Sequence, residues 1–264
     1  MPPPNRPEWL LPAGVTRGLW DYVQAEHIAW DYDEYHAYNS LFDFDQAVLA
    51  EHFRPPGLVV DLGCGSGRAL APLVRSGLTG LAVDLSAEML AVVGEKAEAE
   101  GLRIHRVLAN IAELDAIRAH VADYAMCMYS TLGMVRGRDN RQRALGHVHR
   151  ILKPGGLFVL HVHNVWRNLH DALGRRWMAS HFARLALGRD QELGDKFFDY
   201  RGIPQMFLHV FTATELRSAV TSAGFEIVRW IPLDTERRHP LRSPWLASRL
   251  RANGWIVVAR GVKA

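Results

Sequence analysis

The chain has 264 residues, of which 48% are hydrophobic and 22% charged, and this ordinary globular usage argues against a disordered or fibrous protein. The net charge is only +3, but residues 1–57 sum to −6 (3 basic against 9 acidic) and residues 165–264 to +7 (16 against 9), so the last hundred residues are the basic part. No stretch approaches the roughly 20 consecutive apolar residues of a membrane span, and no basic start followed by an apolar run indicates export, so we expect a cytoplasmic protein without a membrane partner.

Aromatic and acidic residues dominate the first predicted element. Residues 20–53 contain no glycine or proline, which favours one long helix that ends before Pro55-Pro56-Gly57. The proline-rich start, residues 1–12, reads as a loose tail. We therefore predict an N-terminal tail and helical arm over residues 1–56.

From Leu58 onward, short apolar runs alternate with amphipathic segments. The predicted strands cover residues 58–62, 80–84, 103–108, 124–129, 157–163, 225–231 and 255–260. The predicted helices cover residues 67–76, 87–100, 142–152 and 214–223. This alternation predicts an α/β protein with a Rossmann-like, doubly wound, mostly parallel sheet, closed by an antiparallel C-terminal edge hairpin. Residues 57–264 form this domain.

An inserted cap is predicted at about residues 165–208, between the fifth strand and the last helix. The segment is rich in aromatic side chains, which would cover a substrate or simply pack in the core: Trp166, Trp177, Phe182, Phe197, Phe198 and Phe207.

The clearest chemical signal is the run from Val59 to Gly67, in which an apolar strand leads directly into Gly63-Cys64-Gly65-Ser66-Gly67 and a helix. Glycines in such a turn permit positive φ and a close approach of backbone amides to a ligand. The acid Asp61 before the glycines would repel a pyrophosphate and attract a cation, which argues against a nicotinamide cofactor. A second acid, Asp84, ends the next strand and suits bonding to ribose hydroxyls.

These motifs resemble those of the class I S-adenosylmethionine-dependent methyltransferases, from about Tyr35 to Arg260. The glycine motif, Asp84 and the segment Ala109-Asn110-Ile111 match that family, as do Arg150 to Leu157 and Phe211 to Leu216. The family often has Asp where this chain has Asn110, so a neutral amide oxygen would meet the adenine amino group. The resemblance also implies that the arm folds over the cofactor, with Tyr35 or Tyr38 near its methionine end.

The resemblance implies S-adenosylmethionine as cofactor and S-adenosylhomocysteine as product. The implied cofactor-binding residues are Asp61, Gly63, Cys64, Gly65, Gly67, Asp84, Leu85, Asn110, Ile111 and Tyr129. Methyl transfer needs a nucleophile held in line about 3 Å from the methyl carbon, and a base helps only where the nucleophile carries a proton to be removed. We predict His163 and Tyr129 as catalytic residues. The predicted substrate residues, which follow strand ends or lie in the cap, are Ser130, His161, His163, Asn164 and His209.

A metal site is the competing interpretation of the histidines. On a strand His161 and His163 point the same way, and His209 could be a third ligand, but no acid or cysteine completes the spacing. We therefore predict no metal. The two cysteines, Cys64 and Cys127, are too few for a disulfide framework and read as reduced thiols.

The acceptor is the open question at this stage. We predict in-line transfer to an O or N nucleophile of a small molecule. An alternative acceptor is tRNA or another RNA, which could bind the paired arginines Arg175-Arg176 and Arg237-Arg238. A further alternative is a non-catalytic module that only binds S-adenosylmethionine. Aminopropyl transfer fits less well, because the C-terminal part is basic. The sequence predicts no oligomeric state.

Overall fold

The computed structural model describes residues 6–36, 41–188 and 191–262. The α-helices are α1 (Arg17–Val23), α2 (Glu26–Trp30), α3 (Tyr32–His36), α4 (Leu41–His52), α5 (Leu70–Arg75), α6 (Ala87–Glu100), α7 (Thr131–Met134), α8 (Arg138–Ile151), α9 (Ala172–Ala186), α10 (Ala213–Ser222) and α11 (Ser248–Arg251). Two 3-10 helices cover Glu8–Leu10 and Val165–His170. The strands are β1 (Leu58–Leu62), β2 (Thr79–Asp84), β3 (Ile104–Leu108), β4 (Ala122–Cys127), β5 (Leu152–His163), β6 (Asp195–Tyr200), β7 (Ile203–His209), β8 (Phe225–Pro232) and β9 (Gly254–Gly261).

The main sheet has seven strands in the order β3-β2-β1-β4-β5-β9-β8. The first five are parallel, whereas β9 runs antiparallel to both β5 and β8. The predicted Rossmann-like α/β sheet with an antiparallel C-terminal pair is confirmed. Because the order reverses between β1 and β4, the carboxyl ends of these strands frame a crevice where α/β proteins bind ligands.

Helices cover both faces of this sheet, and side chains alternate between the faces with a period of two. Val60, Leu62 and Cys127 pack on the side of α8 and α10. Val59 and Met126 pack on the side of α4, α5 and α6. By the same alternation, Asp61 on β1 and His161 on β5 belong to the α4 side.

The N-terminal arm differs from the prediction, because the single helix expected over residues 20–53 is divided into α1, α2, α3 and α4. Helix α1 ends at Val23 with Gln24 as its C-cap, after which Ala25 adopts an extended conformation that redirects the chain. Division lets the arm bury Ile28 and Ala29 against Met89 of α6, which a straight helix would carry past the domain. Tyr38 and the Tyr35 side chain lie outside the described residues.

The fifth strand, predicted over residues 157–163, also begins earlier, since β5 starts at Leu152 and runs through Pro154-Gly155-Gly156. The β4–β5 register shifts there, between the pairs Ala122–Leu152 and Tyr124–Leu157. A bulge at a strand end tolerates a proline and a glycine at positive φ, and Gly155 has φ 80°.

The segment predicted as a cap contains an unpredicted hairpin, β6–β7, besides α9. Strand β7 lies directly against α1. A Cβ atom on Gly18 would come within 2.4 Å of the Gln205 carbonyl oxygen, so only glycine allows this approach. The hairpin and the arm therefore lie together beside the crevice.

Candidate active site

The glycine-rich turn after β1 is fixed on one side and open on the other. Gly63, Gly65 and Gly67 have φ of 71°, 51° and 75°, which favour glycine. A Cβ on Gly63 would lie 2.2 Å from Thr131 Cγ2, whereas a Cβ on Gly65 would meet only Tyr32 Cε1, at 3.9 Å. Gly65 thus presents its backbone to the crevice.

Asp84, at the end of β2, shapes this turn. Its Oδ2 accepts a hydrogen bond from Gly65 N at 2.8 Å and its Oδ1 accepts one from Ser86 N at 2.9 Å. Burial raises the pKa of Asp84, and the hydrogen bonds from Ser86, Gly65 and Leu85 partly oppose that effect. Each oxygen keeps a lone pair for a ligand hydroxyl.

Asp61 is the most unusual group in the crevice. Its side chain is buried, and among the described residues Oδ2 has no hydrogen-bond partner. Burial, and then the negative charge of Asp84, raise the pKa of Asp61 to about 8. A buried carboxyl of this kind is stabilised as a carboxylate when a cation binds beside it.

A cavity of about 110 Å³ adjoins Asp84. Its lining includes Gly63, Gly65, Asp84 and the predicted adenine-side residues Leu85, Asn110 and Ile111. Asn110 Oδ1 accepts a hydrogen bond from Ala112 N at 3.1 Å, and its Nδ2 donates to Ala13 O at 2.8 Å. The predicted adenine contact by the amide oxygen therefore depends on its second lone pair.

The N-terminal arm supplies the roof of this cavity, through Val15, Leu19, Tyr22, Ala29 and Tyr32 among others. The rings of Tyr22 and Tyr200 lie 6.0 Å apart, and Arg201 of the cap forms a salt bridge with Asp31 of the arm. Sequence reasoning missed Tyr22 and Tyr32 as lining residues. Their aromatic character was visible, but a single long helix gave no means of placing them.

Both cysteines are buried thiols. Cys64 Sγ lies 3.4 Å from Gly65 O, so the residue reaches the crevice through its backbone rather than its sulfur. Burial, and then the charges of Asp84 and Asp61, raise the pKa of Cys64 well above its ordinary value. Burial likewise raises the pKa of Cys127 to about 12, so neither sulfur is a nucleophile at neutral pH.

The turn after β4 carries two strained residues. Tyr129 and Ser130 have φ of 53° and 67°, in a region that side chains other than glycine avoid. Ser130 N donates to His161 O at 3.0 Å, and Ser130 Oγ accepts from His163 N at 3.3 Å. The turn is thereby tied to the end of β5, with the Tyr129 ring centroid 6.1 Å from that of His161.

His161 and His163 have different surroundings. Nδ1 of His161 lies 3.0 Å from Asp45 Oδ2, and both side chains are almost fully buried. His163 Nε2 lies 3.5 Å from the Arg237 guanidinium. Burial, and then the neighbouring His161, Arg237 and Lys196, hold the pKa of His163 well below its ordinary value.

Sequence reasoning missed Asp45 as well. It lies one turn before Leu49 on the buried side of α4, and an acid at a core position of a helix was the available signal. No sequence pattern connects it to His161, which is 116 residues away.

The remaining predicted substrate residues have other partners. Asn164 Nδ2 donates to Arg249 O and Ala252 O, and its Oδ1 accepts from Trp166 N, so the side chain holds the backbone together. His209 lies 2.8 Å from both Asp195 and Glu215. Burial alone would lower the pKa of His209, but these two carboxylates raise it, which favours an imidazolium.

Glu192, His209 and Glu215 lie close enough together to hold a metal ion, and among the described residues no other such group is found. Arg141 Nη2 lies 2.8 Å from Glu192 Oε2 and 3.6 Å from Glu215 Oε1, so a guanidinium already balances these acids. His161 and His163 do not belong to this group.

Residues 59–156 match the family model described as a methyltransferase domain. This segment contains the glycine turn, both acids and the adenine-side residues. Residues 59–156 are thus a methyltransferase domain, and the match supports a class I S-adenosylmethionine-dependent methyltransferase. The methyl donor of such enzymes carries an ammonium and a sulfonium beside its nucleoside, so Asp61 and Gly65 stay predicted donor contacts.

This methyltransferase is similar to known proteins along much of its length. A demethylmenaquinone methyltransferase of Thermus thermophilus is 28% identical over 66% of this chain and 76% of that protein. A solved S-adenosylmethionine-dependent methyltransferase of Methanosarcina mazei aligns with a TM-score of 0.66 at 22% identity, over 82% of this chain and 98% of that one.

A third relative is the 1,6-didemethyltoxoflavin-N1-methyltransferase of Burkholderia thailandensis, solved with S-adenosylhomocysteine. It aligns with a TM-score of 0.60 at 19% identity, over 96% of this chain and 94% of that one. At these identities the solved structures show a shared fold. The match with the first curated relative covers 53% of that protein's length, and those with the next three cover 76–77%.

These comparisons confirm two predictions: that the protein is a methyltransferase and that its methyl donor is S-adenosylmethionine. The roles of the individual site residues stay predictions. They differ in whether the side chain lies at the cavity or has other partners. Gly65, Asp84, Leu85, Asn110 and Ile111 line one cavity and Asp61 lies on the strand that leads to it, while Asn164 and His209 have partners elsewhere. Among the described residues, no helix is long and apolar enough to cross a membrane.

Proposed function

We propose that this methyltransferase moves the methyl group of S-adenosylmethionine to an O or N nucleophile of a small molecule by in-line displacement. The observation that carries the proposal is the buried polar group beyond the glycine turn, formed by Asp61, Tyr129 and His161 on the α4 side of the sheet. Polar side chains enclosed in this way suit a small acceptor that can enter whole, rather than a chain of nucleotides.

The donor, when bound, supplies a methyl group already activated by a sulfonium. Asp61 would pair with its ammonium, and Asp84 would accept hydrogen bonds from the ribose hydroxyls while it holds Gly65 N. Leu85 and Ile111 would pack on the adenine. The contribution of these residues is to fix the methyl group in one position, because orientation supplies much of the rate of such a displacement.

We further propose that residues 1–56 act as an arm over the donor and that residues 165–208 form a cap over the acceptor. The Arg201–Asp31 salt bridge and the closeness of Gly18 to Gln205 support a joint closure by both segments. Exclusion of water by such a cover strengthens the charged contacts inside.

RNA as the acceptor is less well supported. Arg237 is half-buried against His163, and burial lowers its pKa, so it is not free to contact a phosphate. Arg175 and Arg176, by contrast, are exposed on α9 and remain the better test of RNA binding.

A labelled-methyl assay tests the acceptor class. Purified protein with labelled S-adenosylmethionine is incubated with a small-molecule extract and, separately, with bulk tRNA. We expect label in the extract, insensitive to added RNA, and equal transfer by the Arg175→Ala, Arg176→Ala double variant. Label entering tRNA, with loss in the double variant and a steep dependence on salt, would contradict a small acceptor. Donor binding by calorimetry without transfer to either would favour the binding-module alternative.

A further inference from the structure

Asp45 and His161 form a buried pair between α4 and β5. Asp45 lies on α4 with 0% exposure and His161 on β5 with 2%. Their 3.0 Å contact joins Asp45 Oδ2 to His161 Nδ1, and among the described residues His161 Nε2 has no partner although it is buried. A buried ring nitrogen without a partner is costly unless something binds to it.

We propose that His161 is the general base of the transfer, positioned by Asp45, and that the acceptor group is a hydroxyl; this inference rests on the proposed function. The carboxylate fixes the proton on Nδ1, so that the Nε2 lone pair remains available. An amine attacks with its own lone pair and needs no prior removal of a proton. A hydroxyl becomes a strong nucleophile only as its proton leaves, so a positioned base is of most use to it.

The register of the sheet relates the pair to Asp61, the residue proposed to hold the donor. Asp61 pairs with Met126 on β4, and Met126 pairs with Val159 on β5, so His161 is two strands from Asp61 and two residues nearer the carboxyl end. Two strand spacings amount to about 10 Å, enough for the transferred methyl and the acceptor oxygen between them. Tyr129 lies beside the pair, with its ring centroid 6.1 Å from that of His161, and burial, and then the charges of Asp45 and Asp61, raise its pKa.

His163, the histidine favoured by sequence reasoning, is less suited to this role. The Arg237 guanidinium faces its Nε2, and the resulting low pKa makes it a weak base. Because a guanidinium only donates, His163 Nε2 is the acceptor in this contact and the ring hydrogen lies on Nδ1, which can donate to a polar oxygen of the methyl acceptor.

Removal of the hydroxyl proton accompanies transfer of the methyl group. His161 Nε2 takes the hydroxyl proton while the acceptor oxygen bonds to the methyl carbon. The carbon–sulfur bond breaks, and its electron pair stays on sulfur, which becomes a neutral thioether. The imidazolium is stabilised by the Asp45 carboxylate and returns its proton to water when the product leaves.

The first test needs no acceptor. Nitrogen NMR of histidine-labelled protein, with His161→Asn to assign the signals, reports which ring nitrogen carries hydrogen. We expect hydrogen on Nδ1 and a bare Nε2 at the pH of the transfer assay. In Asp45→Asn the side-chain amide can donate to Nδ1, so the hydrogen should move to Nε2. A ring with hydrogen on Nε2 in the unmodified protein would overturn the proposal.

The second test uses the acceptor fraction found in the labelled-methyl assay. His161→Asn and Asp45→Asn should each lower kcat at least about 100-fold and change the KM for S-adenosylmethionine less than about threefold. Asp43→Asn, an exposed acid on the same helix, and His105→Asn, an exposed histidine on β3, are the matched controls and should transfer at the normal rate. A kcat within threefold of normal in both pair variants would overturn the base. If the unmodified protein labels no fraction, the proposed function fails, and the NMR result still decides the arrangement of the pair.

Discussion

At Asp61, the charge proposed to bind a cation lowers the stability of the free protein. Its carboxyl is enclosed next to a second acid, and the free protein relieves this by raising its pKa to about 8. Between the ordinary value of 3.8 and this value the folded state holds a proton that the unfolded chain has lost, so the free energy of unfolding falls as pH rises. A cation beside Asp61 reverses this preference.

The affinity for S-adenosylhomocysteine should therefore depend on pH. Because binding of an ammonium requires the carboxylate, a proton must leave Asp61 below about pH 8, and affinity should rise up to roughly tenfold per pH unit as pH approaches that value. Asp61→Asn should bind more weakly, lose this dependence and melt at a higher temperature without ligand at pH 8. Calorimetry across pH measures the first two, and an equal pH dependence in both proteins would contradict the assignment.

Asp84→Ala tests the second acid. The substitution removes the acceptor for the ribose and releases the Gly65 and Ser86 amides, so the affinity for S-adenosylhomocysteine should fall by about 1–3 kcal/mol, roughly 10- to 100-fold. Asp115→Ala, an exposed acid on a nearby loop, is the control and should bind normally. Unchanged affinity in a folded Asp84 variant would refute the contact.

At the scale of elements, the parts that were predictable are those whose signals lie close in sequence. Residues 58–62 and 87–100 match β1 and α6 to the residue, because an apolar run and the Ser86 cap define them locally. The divided arm depends on contacts with α6 and β7, which no local pattern encodes. The Asp45–His161 pair likewise depends on the packing of α4 on β5, so the sequence could point to His161 and His163 but could not connect Asp45 to either.

The contact between α1 and β7 should control donor binding. Gly18→Ala would place a methyl group 2.4 Å from Gln205 O, so α1 should shift and carry Leu19 and Tyr22 away from the cavity roof. We expect S-adenosylhomocysteine affinity to fall by about tenfold, in line with overpacking costs of ~1–3 kcal/mol.

Gly146→Ala is the matched control, since α8 has open space at that position. It should leave affinity unchanged and raise the free energy of unfolding by about 0.5–1 kcal/mol through helix propensity. Isothermal calorimetry and thermal unfolding measure both variants. Normal affinity in Gly18→Ala would show that the roof does not depend on this contact.

At the scale of the whole molecule, the cavity joins segments that are distant in the chain: the arm, the glycine turn and the β2 and β3 ends. A ligand that contacts all of them stabilises the folded state as a unit. S-adenosylhomocysteine at about 100 times its Kd should add roughly 2.7 kcal/mol, a shift in Tm of several degrees. NAD should give none, because its pyrophosphate would face Asp61. Stabilisation by NAD alone would overturn the donor assignment.

The position of β9 bears on how the protein forms during translation. This strand lies inside the sheet, between β5 and β8, although it is the last of the described strands in sequence. Until residue 261 has left the ribosome, β5 lacks its neighbour on that side, and β8 lacks the strand it pairs with. The nascent chain thus carries an open, apolar strand edge for much of its synthesis, and such edges are where chains associate wrongly. Folding from the N-terminus during translation can complete the donor crevice early. The open strand edge is covered only when β9 pairs with β5 and β8.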